Sequence, residues 1–84
     1  MRLQEQHIGF DNAVQVLKEG LNAISGGDVI FDFSNVQKAD SAAIAVVLDW
    51  IRHAQSKGLE CKVLNAPDSF NKLVRLYGLN QLFP

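Results

Sequence analysis

The sequence is poor in the residues that build cross-linked or metal-held scaffolds. Among its 84 residues there is one cysteine, Cys61, which cannot form an internal disulfide or, without neighbouring histidines, a structural zinc site. Eight Lys and Arg against nine Asp and Glu give a formal net charge of -1, and no basic cluster indicates nucleic-acid binding. A single cysteine suits a reducing compartment.

Long apolar runs are absent as well. None approaches the ~18 residues of a membrane helix, and the first seven residues lack the apolar core of a secretion signal. We therefore expect a soluble, cytoplasmic protein that meets a membrane only through a partner.

The remaining composition is that of a folded domain, with 48% hydrophobic and 20% charged residues. The length predicts one domain over residues 1–84, in which residues 1–9 have room only for a short or incomplete strand. A domain of this size buries little more than ~60% of its unfolded surface. Docking to a partner or to a second copy would therefore add stability.

Apolar residues at three- and four-residue steps predict a first amphipathic helix from Asn12 to about Ile24, built on Val14, Leu17, Leu21 and Ile24. Asp11 is the expected N-cap, and Gly26-Gly27 the expected left-handed stop. Gly20 inside this helix costs roughly 1 kcal/mol against alanine.

The same spacing predicts two more helices. The second runs from Asp40 to Ser56, with a core stripe of Ile44, Val47, Leu48 and Ile51 and a second apolar flank of Val46 and Trp50. The third follows Asn65-Ala66-Pro67 and repeats Phe70, Leu73, Val74 and Tyr77. Gly78 is the expected C′ residue of the third helix, with Leu79 folding back on Val74.

Alternating residues predict a strand at Val29–Phe33 and another after Gly58, with Leu59, Cys61 and Val63 on one side. Strands that alternate with helices form parallel neighbours joined by right-handed crossovers. The expected fold class is therefore α/β, a small β/α sandwich with about three helices and a short, mixed or mostly parallel sheet. Such a sheet leaves an edge open for a second chain.

In parallel α/β units, ligands and partners gather where strand carboxyl ends meet helix N-termini. Here that edge carries the segment from Ser34 to Ser41, beside the loop from Asn65 to Asp68. Two interpretations of Asp40 and Ser41 remain open: a capping aspartate with a first-turn hydroxyl, or a serine that accepts or contacts a phosphate.

The segment from Val29 to Ala45, VIFDFSNVQKADSAAIA, resembles the signature of STAS domains, the family of anti-sigma-factor antagonists and sulfate-transporter C-terminal domains. The pattern is an apolar strand, Asp-hydrophobic-Ser, a short loop, and Asp-Ser at the start of a helix. The segments Lys57–Leu59 and Arg75–Leu79 also resemble the short, stand-alone bacterial branch. That branch includes the MlaB-like subunits of an ABC transporter that traffics phospholipids, where the domain sits on the cytoplasmic ATPase.

The resemblance covers roughly Phe10 to Phe83 and departs from the family pattern at Ala42, at Ala43, where the family has a glycine, and in the short segment before the first helix. In the sigma-factor regulators the phosphorylated serine is the second residue after the aspartate, and here that residue is Ala42. Ser41 matches the Ser or Thr that MlaB-like members keep directly after the aspartate. The resemblance thus implies a hydroxyl contact to a protein partner through Ser41.

An enzyme would need a nucleophile with its base, a metal cluster or a phosphate loop, and the sequence offers none of these. His7 and His53 are expected on solvated positions, and Cys61 as a buried structural thiol. Asp32 and Asp40 are a weak metal pair, so we expect no metal and no cofactor.

We therefore expect a non-enzymatic STAS-like binding module whose partner is the ATPase subunit of a phospholipid ABC transporter. The alternative is an anti-sigma-factor antagonist that binds an anti-sigma serine kinase, with Ser41 as a phosphate acceptor. The expected partner-binding residues are Lys38, Asp40, Ser41, Ala42, Val46 and Trp50. For Val46 and Trp50, packing in the core is the other interpretation.

Overall fold

Residues 1–81, the part of the chain that the computed structural model describes, form three helices and four short strands. Residues 82–84 belong to the expected domain but lie outside the described residues. The elements in chain order are β1 (His7–Ile8), α1 (Ala13–Ser25), β2 (Ile30–Asp32), β3 (Lys38–Ala39), α2 (Ser41–Ser56), β4 (Lys62–Leu64) and α3 (Asp68–Leu76).

The strands form two parallel pairs. In the first, β1 lies beside β3 with Ile8 opposite Ala39. In the second, β2 lies beside β4 with Phe31 opposite Val63. The start of the chain adds a parallel bridge between Arg2 and Asp32. This arrangement confirms the predicted small α/β fold with three helices and short parallel sheets.

Aromatic side chains fill the centre of the molecule. The ring of Trp50 stacks on Phe31 with centroids 4.2 Å apart, while Phe33 meets Trp50 edge-on at 6.3 Å. Phe33 also contacts Phe70 edge-on at 5.6 Å. Because alternate residues of a strand point to one face, Phe31 and Phe33 both reach the core, as the strand pattern predicts.

The predicted core stripe of α1 is wrong at its first residue. Val14 is 65% exposed, whereas Val16, Gly20 and Ile24 are the buried residues of the helix. The reason is the close packing of α1 against α2, which turns the face carrying Gly20 inward. From the sequence alone, Gly20 was expected only to weaken the helix, and its place in the packing against α2 was not predicted.

The helix ends follow the predicted signals with one exception. Asp40 caps α2 by accepting a hydrogen bond from the backbone N–H of Ala42 at 2.8 Å. Asp11 does not cap α1, because Asn12 takes the N-cap position and Asp11 bonds to His7 instead. At the end of α3, Leu79 donates its N–H to the Val74 carbonyl at 2.9 Å, which confirms the predicted contact after Gly78.

Two further expectations concern Cys61 and membrane-spanning helices. Cys61 is buried, and burial raises the pKa of its thiol to about 11, so the sulfur is a structural group and a poor nucleophile. None of the helices among residues 1–81 has the length and apolar composition needed to cross a bilayer.

Candidate functional site

The carboxyl ends of β1 and β3 lie beside the N-terminal ends of α2 and α3 at one edge of the molecule. Asp40 donates its N–H to the Ile8 carbonyl at 3.2 Å, and Ala39 donates its N–H to the Ser69 hydroxyl at 3.1 Å. These bonds join β3 to β1 on one side and to the start of α3 on the other. An open concavity of about 510 Å³ lies here, which we call the strand-end groove; it is lined by His7, Ile8, Gly9, Asp11, Lys38, Ala39, Asp40 and Ser69.

Asp40, in the loop that leads into α2, makes contacts on both sides through its carboxylate. One carboxylate oxygen caps the helix, and the other lies where a Cβ on Gly9 would come within 3.0 Å of it. Only glycine therefore lets the end of β1 approach this carboxylate without displacement. The capping interpretation of Asp40 is thus correct, and it fixes the position of the next residue.

Ser41 is the first residue of α2 and is exposed. Its hydroxyl has no hydrogen-bond partner among the residues that the structure describes. Lys38, three residues earlier, is also exposed and forms no ion pair within residues 1–81. The hydroxyl and the ammonium group are thus both available to a partner at this edge.

The strand-end groove also contains a contact between the side chains of His7 and Asp11, which lie 3.0 Å apart. The hydrogen bond from His7 lowers the pKa of the Asp11 carboxyl. Both side chains are more than half exposed, so the pair is a surface contact that solvent screens. The structure places His7 in β1, with its side chain exposed.

Asp32, the other carboxylate of the family-like motif, joins two loops. Its Oδ1 accepts the N–H of Ser34 at 2.9 Å and the side-chain amide of Asn65 at 3.1 Å. Both hydrogen bonds lower the pKa of the Asp32 carboxyl, and the bond from Asn65 has the larger effect. Within the described part of the chain, no three His, Cys, Asp or Glu side chains are grouped to hold a metal ion.

A second, more apolar concavity of about 260 Å³ lies between α1 and α2. We call it the helix groove; its lining is Phe10, Ala13, Val14, Leu17, Ala42, Ala45, Val46 and Asp49. Phe10 is 81% exposed at its rim. This surface was not predicted, because the helical spacing assigned Val14 to the core and Phe10 lay outside every predicted element. An apolar Phe just outside a predicted helix was the available signal.

The expected partner-binding residues divide into three groups. Lys38 and Asp40 line the strand-end groove, and Ser41 follows Asp40 as the exposed first residue of α2. Ala42 and Val46 are buried but line the helix groove. Trp50 is 0% exposed, so its expected role as a surface anchor is wrong: packing on Phe31 and a bond to the Leu17 carbonyl place the indole in the core.

Comparison with known proteins identifies a matching family but no matching curated protein. A search of curated proteins finds nothing that matches this sequence. The family model described as "Mlab, STAS domain" matches residues 5–84. Since the match spans nearly the whole sequence, the chain belongs to the STAS domain family, in its MlaB-like branch.

Proposed function

We propose that this chain is a non-enzymatic module that binds and regulates, or stabilises, the cytoplasmic ATPase of a phospholipid-trafficking ABC transporter. Family membership supports the coarser part, since STAS domains are in general non-catalytic binding modules. The MlaB-like character of the match supports the finer part, the choice of an ATPase as partner.

The observation that carries the proposal is the exposed Ser41 hydroxyl on a preformed helix start. Asp40 caps α2, and its backbone N–H donates to the Ile8 carbonyl. The backbone that carries Ser41 is therefore already in place before a partner binds. A preorganised surface loses less conformational entropy when a partner docks. Lys38, three residues earlier in the chain, is exposed and adds a positive charge to this part of the surface.

The test is the affinity of the purified domain for the ATPase subunit of a phospholipid ABC transporter from the same organism. Ser41→Trp places a bulky side chain in the contact, and we expect the affinity to fall at least about tenfold. The matched control is Gln55→Trp, an exposed position in the last turn of the same helix, which should bind as the wild type does. Circular dichroism verifies that both variants are folded.

One observation favours the second candidate function, an antagonist that binds an anti-sigma serine kinase. That observation is the exposed Ser41 hydroxyl, which a kinase can reach. Ala42, at the family's phosphorylation position, is buried, has no hydroxyl and counts against this candidate. Incubation with such a kinase and ATP separates the two candidates. Stoichiometric phosphate on Ser41, together with no affinity for the ATPase subunit, would replace the transporter proposal.

A further inference from the structure

One backbone edge of β4 carries hydrogen-bonding groups that no described residue pairs with. On the side of β2, Lys62 donates its N–H to the Val29 carbonyl at 2.9 Å. Backbone groups of successive strand residues point to opposite edges, so those of Val63, and of Cys61 just before the strand, point away from β2. Among residues 1–81, β2 is the one strand that pairs with β4. Such open groups are ready to pair with a strand of another chain.

The other strands have edges that the chain itself covers. Leu3 donates its N–H to the Asp32 carbonyl at 3.0 Å, so the start of the chain covers β2. The Ser69 hydroxyl accepts the N–H of Ala39 at 3.1 Å and covers β3. On β1, a backbone carbonyl accepts the side-chain amide of Asn12 at 2.9 Å. The open edge expected from the sequence therefore corresponds to β4.

The charges along this edge complement a second copy of the same segment. Glu60 and Lys62 lie on either side of Cys61, are exposed, and form no ion pair within residues 1–81. In an antiparallel pairing of the segment with itself, a twofold axis at Cys61 sets each Glu60 opposite Lys62 of the second copy. A parallel pairing in register, or an antiparallel one centred on Lys62, sets like charges against each other. Because opposite charges across strands stabilise a pair and like charges destabilise it, the charges favour the axis at Cys61.

The apolar residues of the segment fit the same register. Leu59, which is 36% exposed, comes opposite the half-buried Val63 of the second copy. Both lie an even number of residues from Cys61, which belongs to the core cluster, so they share its face of the strand. The Leu59 N–H is already bonded to the Ala54 carbonyl at 2.9 Å, which limits the new ladder to the residues from Leu59 onward.

We propose that the segment Leu59–Leu64 pairs antiparallel with the same segment of a second copy, about a twofold axis at Cys61. The two Cys61 residues exchange backbone hydrogen bonds, and each Val63 donates its N–H to the Leu59 carbonyl of the other copy. The strand-end groove contains no residue of this segment, so the dimer leaves that surface open. Because the segment is much shorter than the ~20–30 residues a side of a stable interface, the dimer is weak and forms at high protein concentration.

Sedimentation equilibrium of the full chain, from about 10 µM to about 1 mM, tests the inference. We expect the wild type to show a monomer–dimer equilibrium in this range. Glu60→Lys and Lys62→Glu each set like charges against each other twice in the dimer, and we expect each to weaken it at least about tenfold. Lys72→Glu, the same charge change at an exposed position of α3, is the matched control and should leave the dimer unchanged.

Mixing the two charge variants tests the register itself. Glu60→Lys on one copy and Lys62→Glu on the other bring opposite charges together again at both contacts, so we expect the equimolar mixture to associate about as strongly as the wild type. The double variant Glu60→Lys/Lys62→Glu should also recover the dimer. A wild type that stays monomeric at every concentration, single variants that associate as it does, or a mixture that stays monomeric would overturn the inference.

Hydrogen exchange of single amides, followed by NMR, identifies the edge that pairs. We expect exchange of the Val63 amide to slow as the concentration of the domain alone rises, because this amide gains a partner only in the dimer. The Lys62 amide, already bonded to Val29, is the internal control and should change much less. A Val63 amide that is protected only when a different protein is added would give the edge to that protein and overturn the dimer.

Discussion

The α-carbon of Gly20 lies against the indole of Trp50, so that a Cβ at position 20 would come within 2.1 Å of the ring atoms Cε2 and Nε1. The indole N–H donates to the Leu17 carbonyl at 3.1 Å. The glycine therefore admits the largest side chain of the core between α1 and α2. This contact turns Val14 toward solvent and so creates the helix groove.

Gly20→Ala should destabilise the protein, although alanine is the better helix former by roughly 1 kcal/mol. Overpacking against Trp50 costs more than that gain, and we expect a net loss of about 1–3 kcal/mol in the free energy of unfolding, measured by urea denaturation. Gly26→Ala is the control, since a Cβ there would stay 3.5 Å from the nearest atom, the Ala23 carbonyl oxygen. A Gly20→Ala variant that matches or exceeds wild-type stability would show that the helices separate freely.

Trp50→Phe should lower stability without changing partner affinity. The variant loses the hydrogen bond to Leu17 and part of the stack on Phe31, and we expect a loss of about 1–2 kcal/mol. Because the indole is fully buried, the folded fraction should bind the ATPase subunit normally, as titration calorimetry would measure. Normal stability with lost binding would return Trp50 to the docking surface.

Asp40→Ala removes the side-chain cap of α2 and should cost about 1 kcal/mol of unfolding free energy. Asp40→Ser keeps an oxygen that can accept the Ala42 N–H, so this variant should retain most of the wild-type stability. Thermal denaturation of the two variants side by side makes the comparison. Equal losses would mean that the carboxylate charge, and not the cap geometry, stabilises this helix start.

Asp32 should make the stability depend on pH in the acid range. Its folded pKa lies below its ordinary value, so its contribution is complete above about pH 4, the pKa of an unfolded aspartate, and is lost as the pH falls through the folded pKa. Asp32→Asn keeps an acceptor for Ser34 and Asn65 but does not titrate.

We therefore expect the melting temperature of the wild type to fall more steeply than that of Asp32→Asn between about pH 5 and pH 2. Asp11 and Asp28, whose pKa values are also lowered, leave a residual acid dependence in the variant. Parallel melting curves over this range would contradict a role for the carboxylate in joining the two loops.

The parts of the fold that sequence predicts well are those set by local chemistry. Asp40 caps α2 because a carboxylate at that position reaches the first-turn amides, whatever the rest of the chain does. Gly78 and Leu79 end α3 through bonds that span only six residues. The alternation around Phe31 likewise assigns the faces of β2 directly.

Long-range packing accounts for the error at Val14, and a local side-chain contact accounts for the error at the start of α1. Val14 and Val16 both fit a helical repeat, and the choice between them depends on Trp50, 33 residues beyond the Leu17 carbonyl that its indole binds. Asp11 and Asn12 are both good capping residues, and the nearby His7 draws Asp11 away. The same contacts decide which side of α2 is exposed, so the helix groove could not be found from spacing alone.

Hydrogen exchange of the backbone amides, compared in the free domain and in complex with the ATPase subunit, locates the docking surface directly. We expect binding to slow exchange in the segment from Lys38 to Val46, while β4 exchanges at the same rate in both states. Unchanged exchange at the start of α2, with protection confined to β4 or to the end of α3, would contradict a partner surface built on Ser41.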